Sequence, residues 1–201
     1  MSYKIKEILT NKDVNIKVLH HFTPNCDRLD LTILTTDELA KYDSYGSDKR
    51  KLEFYFSRVL WLTFNQNQVI EYKPTGKPIL SKGFISISHS HSYIIVAFSK
   101  TEPIGIDIEL ISEKINKVKS KFLHPKDRYV NLKELTQLWT IKEAFYKLHD
   151  GDDVFLMDDV YIARLANKSY AEVKLDKVEL HGLAQSFYLD TDFIVSLLTK
   201  Y

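Results

Sequence analysis

Two carboxylates spaced two residues apart, Asp107 and Glu109, lie in the stretch Ile104-Gly105-Ile106-Asp107-Ile108-Glu109. The stretch alternates strictly, so as a strand it turns Ile104, Ile106 and Ile108 to one face and Gly105, Asp107 and Glu109 to the other. The apolar face places the strand in a core. The other holds two like charges roughly 7 Å apart along the backbone, a pair that attracts a cation, beside a glycine whose missing side chain leaves room for a ligand. Taken alone, the pattern also describes an edge strand with a solvated acidic face.

Two further segments favour a site. Over 135–148 a helical wheel gathers Leu138, Ile141, Phe145 and Leu148 on one side and sets Trp139, Glu143 and Lys147, four apart, nearly opposite. An i,i+4 surface pair worth roughly a few tenths of a kcal/mol accounts for Glu143 and Lys147. It does not account for Trp139. A carboxylate, an ammonium and an indole in one row read as the wall of a partly buried polar site. Before the acidic strand, 84–90 reads as a strand closing on Ser88-His89-Ser90, where hydroxyls and an imidazole can hold phosphate oxygens, as can Lys77 in the turn Gly76-Lys77-Pro78.

The elements that must position these residues are legible in outline. Weak alternation at 3–9 and 15–20 predicts two strands, and Thr36-Asp37-Glu38 predicts a helix start. The run 48–64, without Gly or Pro, spaces Leu52, Tyr55, Phe56, Val59, Leu60 and Phe64 as a helical stripe. Pro74, Gly76 and Pro78 mark a loop, and 92–99 predicts a buried strand leading into the acidic one. Asp150-Gly151 reads as the turn ending the second helix. Strands are predicted at 159–163, 170–175, 186–189 and 192–198, with His181-Gly182 as a hairpin turn. The segment SYIIVAFSK, ending at Lys100, resembles TDFIVSLLTK, ending at Lys200, and each follows the long helix of its half. The expectation is an α+β fold of two similar α/β halves, 1–101 and 102–201, with a site at their junction.

The 201 residues, 44% of them hydrophobic, suffice for one sizeable core or two small ones. A net charge of +1 provides no global field for nucleic acid or membrane, so an electrostatic partner must meet a local patch. Such a patch lies at 111–133, where Lys114, Lys117, Lys119, Lys121, Lys126, Arg128 and Lys133 face only Glu113 and Asp127, an excess of five positive charges. Phe122 and Leu123 in that segment are candidates for apolar contacts to a partner. The single cysteine, Cys26, suits a reducing compartment, and no apolar run reaches membrane-spanning length, so the expected location is cytoplasmic.

In this order, Gly76-Lys77-Pro78, Ile85-Ser86-Ile87-Ser88-His89-Ser90, Ile104 to Glu109 and Trp139-Thr140-Ile141-Lys142-Glu143-Ala144-Phe145-Tyr146-Lys147 resemble the successive motifs of the 4′-phosphopantetheinyl transferases of the surfactin-synthetase-activating type. Ser86 departs from the asparagine usual there. The resemblance implies two similar halves related by a pseudo-twofold, in a monomer that moves the phosphopantetheine arm of coenzyme A to a serine of an apo acyl or peptidyl carrier protein. It implies Mg²⁺ held by Asp107, Glu109 and Glu143, and Lys147 against the pyrophosphate. Ser88, His89 and Lys77 would meet the nucleotide end. Arg50 is the basic residue expected to hold coenzyme A from the first long helix, with Lys49 or Arg58 as alternatives. Glu143 is also the candidate base for the serine hydroxyl, directly or through a metal-bound water, and that role competes with metal binding. Another Mg²⁺-dependent phosphoryl or nucleotidyl transferase, or a non-catalytic carrier-binding module, would use part of the same residues, and the choice of fatty-acid or secondary-metabolite carrier stays open.

Overall fold

The computed structural model describes residues 2–8, 13–22, 25–149, 160–166, 170–175 and 181–200, with the backbone alone for 163–166, 170–175, 181–182 and 200. Helix α1 (Thr36–Asp43) starts at a capping box, in which Thr35 and Glu38 satisfy each other's backbone donors. Helix α2 (Asp48–Leu62) is capped by Ser47, whose hydroxyl accepts from Arg50 N. Strands β1 (Tyr3–Ile8), β2 (Val14–His21), β5 (Phe84–Ser90) and β6 (Tyr93–Ser99) form an antiparallel sheet in the order β1-β2-β6-β5, and β3 (Glu71–Tyr72) pairs with β4 (Pro78–Ile79). A second antiparallel sheet has the order β7-β11-β10-β9-β8, built from β7 (Ile104–Leu110), β8 (Val160–Ala166), β9 (Tyr170–Leu175), β10 (His181–Leu189) and β11 (Phe193–Lys200). Helix α3 (Leu132–Leu148) lies between β7 and β8 in the chain.

The core follows from the alternation. Ile94, Val96 and Phe98 of β6 pack with Leu52, Tyr55, Phe56 and Leu60 of α2. Their neighbours Ile95 and Ala97 point the other way and pack with Ile104, Ile106 and Ile108 of β7 and Val195 and Leu197 of β11. Helix α3 covers the outer side of the second sheet with Leu138, Ile141 and Phe145 against Ala184 and Leu198. The same chain order recurs on both sides: β2, α2, β5, β6 with β6 between β2 and β5, then β7, α3, β10, β11 with β11 between β7 and β10. The repeated segment falls on the two central strands, and both hairpins turn on a residue with positive φ, His91 at 55° and Asp190 at 52°. The tips touch, since the Tyr93 ring packs against Phe193 at a 60° tilt with centroids 4.7 Å apart and its hydroxyl donates to Asp190.

Several expectations change. Helix α3 begins at Leu132, three residues before the 135–148 read from the sequence, because Asn131 caps it by accepting from Glu134 N at 3.0 Å. His181 and Gly182 are paired strand residues of β10, opposite Lys174 and Val173, so they are not the hairpin turn; cross-strand pairing overrides the turn preference of an isolated His-Gly. The predicted turn at Asp150-Gly151, Asp159 at the head of the predicted strand, and Leu9 lie outside the described residues. Phe122 is fully buried beside Leu138 and Phe145, so it offers no docking surface; Tyr129 and Val130 are the exposed apolar residues of the basic segment. That segment is anchored from below by Lys142, whose buried ammonium donates to Phe122 O at 2.6 Å, Val160 O at 2.7 Å and Asp127 Oδ2 at 2.5 Å.

Gly105 has a different use from the one expected. A β-carbon there would stand 1.8 Å from the carbonyl oxygen of Ala144 and 2.8 Å from its carbon, so the missing side chain makes room for the backbone of α3 and not for a ligand. Gly105→Ala must push helix and strand apart. The expected result is a loss of about 1–3 kcal/mol or more, the usual range for overpacking, read as a lower urea midpoint by circular dichroism; an unchanged midpoint would refute the close approach.

Candidate active site

Strand β7 presents Asp107 and Glu109 on the side that faces α3, and α3 returns Trp139, Glu143 and Lys147 toward them. Ser88 Oγ of β5 donates to Asp107 Oδ1 at 2.7 Å, and Lys147 Nζ donates to the same oxygen at 2.7 Å, to Ser88 Oγ at 2.8 Å and to Ile106 O at 3.1 Å. Ser90 Oγ, one step along β5, donates to Glu109 Oε2 at 3.3 Å, and Trp139 Nε1 donates to Glu109 Oε1 at 3.2 Å. Ser86 begins this row of hydroxyls by accepting from Ile106 N at 3.0 Å, so it ties β5 to β7. The indole that a solvated helix face does not explain thus has a partner.

Electrostatics mark the centre. Burial, and then the charge of Asp107, raise the Glu109 carboxyl above its ordinary range. Burial pushes Glu143 up to about 7, with Asp107 and Glu109 adding repulsion and Lys147 opposing it. Asp107 Oδ2 is buried without a hydrogen-bond partner among the described residues. Three carboxylates share one ammonium, and an oxygen without a partner remains. Among the described residues no group of three His, Cys, Asp or Glu side chains is arranged to hold a metal by itself. The donors are all oxygen and few, which fits a magnesium ion that completes its shell with water and substrate phosphates.

A cleft of about 200 Å³ adjoins Lys147, lined by Gly76, Lys77, Pro78, Ser86 and Tyr146. It shares Gly76, Pro78 and Ile87 with a cavity of about 310 Å³ walled by Lys41, Arg50, Arg58, Tyr72, Glu53 and His89. Arg50 Nη1 lies 3.2 Å from Glu53 Oε2 and 3.3 Å from His89 Nε2, while His89 Nδ1 lies 3.1 Å from Glu53 Oε1. Burial works to raise the Glu53 carboxyl, but His89 and Arg50 outweigh it and hold it below its ordinary range. Arg58 is buried by Glu38, at 2.9 Å, and Tyr72, at 2.9 Å, with its Nη2 lacking a partner among the described residues.

The structure therefore brings Ser88, Asp107, Glu109, Glu143 and Lys147 together, and Arg50 with His89 in the adjoining cavity. Lys77 lines the cleft beside Lys147, while its ammonium donates to Leu148 O at 3.0 Å, at the end of α3, as cations at helix C-termini do. Lys49 lies beside Glu53 and Arg58 is part of the cavity wall. Glu53, Lys41 and Tyr72 were missed, because a glutamate within a helical stripe, a lysine in the short helix α1 and a tyrosine in the two-residue strand β3 give no spacing signal; Ser90 was visible in its motif but had no partner until the position of β5 against β7 was known.

Raised carboxyl groups bind protons more readily in the folded than in the unfolded chain, so Glu143 weakens the fold as pH climbs from about 4.5 through about 7. Without added metal, Glu143→Gln should raise the melting temperature at pH 8 and leave it nearly unchanged at pH 4. Equal effects at both pH values in differential scanning calorimetry would rule out the perturbed carboxyl.

Comparison with known proteins converges on the same part of the chain. Residues 103–196 match the family model of the 4′-phosphopantetheinyl transferase superfamily. The chain is 36% identical over 93 residues to 4′-phosphopantetheinyl transferase gsp of Aneurinibacillus migulanus, covering 41% of this chain and 38% of that protein. It is 30% identical over 113 residues to 4′-phosphopantetheinyl transferase Sfp of Bacillus subtilis, covering 52% of this chain and 50% of that protein. With the putative 4′-phosphopantetheinyl transferase slr0495 of Synechocystis it shares 25% identity over 138 residues, 57% of this chain and 56% of the relative. The chain spans between about two fifths and just over half of the length of these relatives. The segment 103–196, which carries both the carboxylate strand and the Trp139 to Lys147 helix, is the part of this chain that matches the 4′-phosphopantetheinyl transferase superfamily.

Proposed function

We propose that this protein transfers the 4′-phosphopantetheine arm of coenzyme A to a serine of an apo acyl or peptidyl carrier protein, with Mg²⁺, releasing adenosine 3′,5′-bisphosphate. The observation that carries this reading is the meeting of Asp107, Glu109, Glu143 and Lys147 beside a cleft continuous with a cavity rich in cations. The nucleotide end of coenzyme A carries phosphate, which suits Arg50, His89, Lys41 and the partnerless nitrogen of Arg58. The pyrophosphate would then reach Lys147 and Ser88. In this reading Asp107, Glu109 and Glu143 would hold the magnesium ion, which would supply neutralisation of charge on the pyrophosphate. Lys147, which donates to Asp107 Oδ1 and Ser88 Oγ, would meet the phosphate oxygens. Glu143 can accept a proton near neutrality, but bound to a cation it becomes a weaker base. The chain is read as two halves, 1–101 and 102–201, related by a pseudo-twofold with the site at their junction, supported by the recurring strand order. Mass spectrometry of apo-carrier proteins incubated with coenzyme A and Mg²⁺ tests the activity by the added phosphopantetheine mass.

Asp107→Asn should abolish most of that transfer while coenzyme A binding, measured by calorimetry without metal, persists; full transfer would remove Asp107 from the site. The carrier, acidic beside its modified serine in the family this chain resembles, would be steered by the basic segment, where Lys117, Lys119 and Lys121 are exposed on two 3₁₀ turns (Glu113–Lys117 and Lys119–Lys121). Steering acts on encounter. Replacing these three lysines with Glu should raise the KM for carrier and flatten the salt dependence of kcat/KM, with coenzyme A affinity little changed. Wild-type KM at low salt would exclude the segment as the docking surface.

A further inference from the structure

One imidazole beside the carboxylates has no task in the preceding account. His91 forms the tip between β5 and β6 at a φ of 55°, the left-handed region that a β-carbon makes unfavourable. It lines a cavity of about 230 Å³ together with Glu109, Ser112, Thr136 and Trp139. Its Nδ1 lies 3.3 Å from Ser90 Oγ, and that hydroxyl donates to Glu109 Oε2 at 3.3 Å. A hydroxyl has a single proton to give. With that proton directed to Glu109, Ser90 accepts from Nδ1–H, which leaves the lone pair of His91 on Nε2. The ring of Phe193 meets the imidazole edge-on, centroids 5.9 Å apart at 80°, and restrains it. A base oriented through its second nitrogen by a hydrogen-bonded group backed by a carboxylate is the arrangement that activates hydroxyl nucleophiles.

We propose that His91 is the general base of the transfer, an assignment that rests on the function proposed above. Nε2 takes the proton of the carrier serine as the serine oxygen bonds to the phosphorus bearing the pantetheine arm. The bond from that phosphorus to the bridging oxygen breaks, and its electron pair leaves with adenosine 3′,5′-bisphosphate. The imidazolium then releases its proton to water. Glu143 is thereby left to the cation, and the conflict between its two roles is removed.

The test is His91→Gly, since glycine adopts this φ without strain and the fold is retained. Single-turnover rates at saturating coenzyme A and carrier should fall about 10²-fold or more, the dissociation constant for coenzyme A should stay unchanged, and added imidazole should restore part of the rate. A rate within about threefold of wild type, small beside what a general base contributes, overturns the assignment. A loss that imidazole does not restore also overturns it and leaves His91 a positioning residue. Absence of any mass gain with the wild-type protein would instead overturn the transferase reading itself.

Discussion

Everything at the site depends on the contact between two backbones at Gly105. Strand β7 and helix α3 approach so closely there that no side chain fits between them. Immediately before Ala144, the residue of that contact, stands Glu143, and three residues after it stands Lys147. Because the helix is held at this depth, its polar row reaches the carboxylates of β7 and not solvent. The isoleucines on the reverse face of β7 fix the strand from the other side, in the core shared by the two sheets. Position is thus set by packing on both faces before any charge interaction is counted.

The charges themselves are poorly balanced, and that imbalance belongs to function more than to stability. Glu109 and Glu143 are both held in raised ranges, and among the described residues Asp107 Oδ2 lacks a hydrogen-bond partner while Lys147 compensates for the three. A fold optimised for stability alone would not gather these groups. Strain at a site and relief on binding are two sides of one arrangement: in the proposed function, a cation or a phosphate would meet carboxylates and an ammonium already oriented by Ser88, Ser90 and Trp139.

Much of this was legible from residues. Strict alternation fixed which face of 104–109 is apolar, and spacing four put Trp139, Glu143 and Lys147 in one row; both held. The use of Gly105 was not legible, because room for a ligand and room for a helix leave the same mark on a sequence. Phe122 shows a similar limit: an apolar residue among lysines reads as a surface contact until the helix that covers it is known. The bond from Lys77 to a helix carbonyl was not legible either, since a lysine beside a glycine turn serves a phosphate or a helix carbonyl equally well. The network of Arg50, Glu53 and His89 joins residues up to 39 positions apart, and no local pattern announces it.

The buried Lys142 carries a consequence for how such a protein can change over time. Its ammonium clasps the carbonyls of Phe122 and Val160 and the carboxylate of Asp127, and Ile115 and Phe122 are sunk in the core. The basic segment is consequently a shelf whose supports are hidden and whose surface is separate from them. Lysines on its outer side can be exchanged without loosening the shelf, so the surface is free to drift with whatever it meets. Asp127 and Lys142 are not free in this way, because either one alone would be a buried charge without its counterpart. Surface charge and architecture are carried by different residues of one short stretch, so the lysines outside can change while the supports beneath stay fixed.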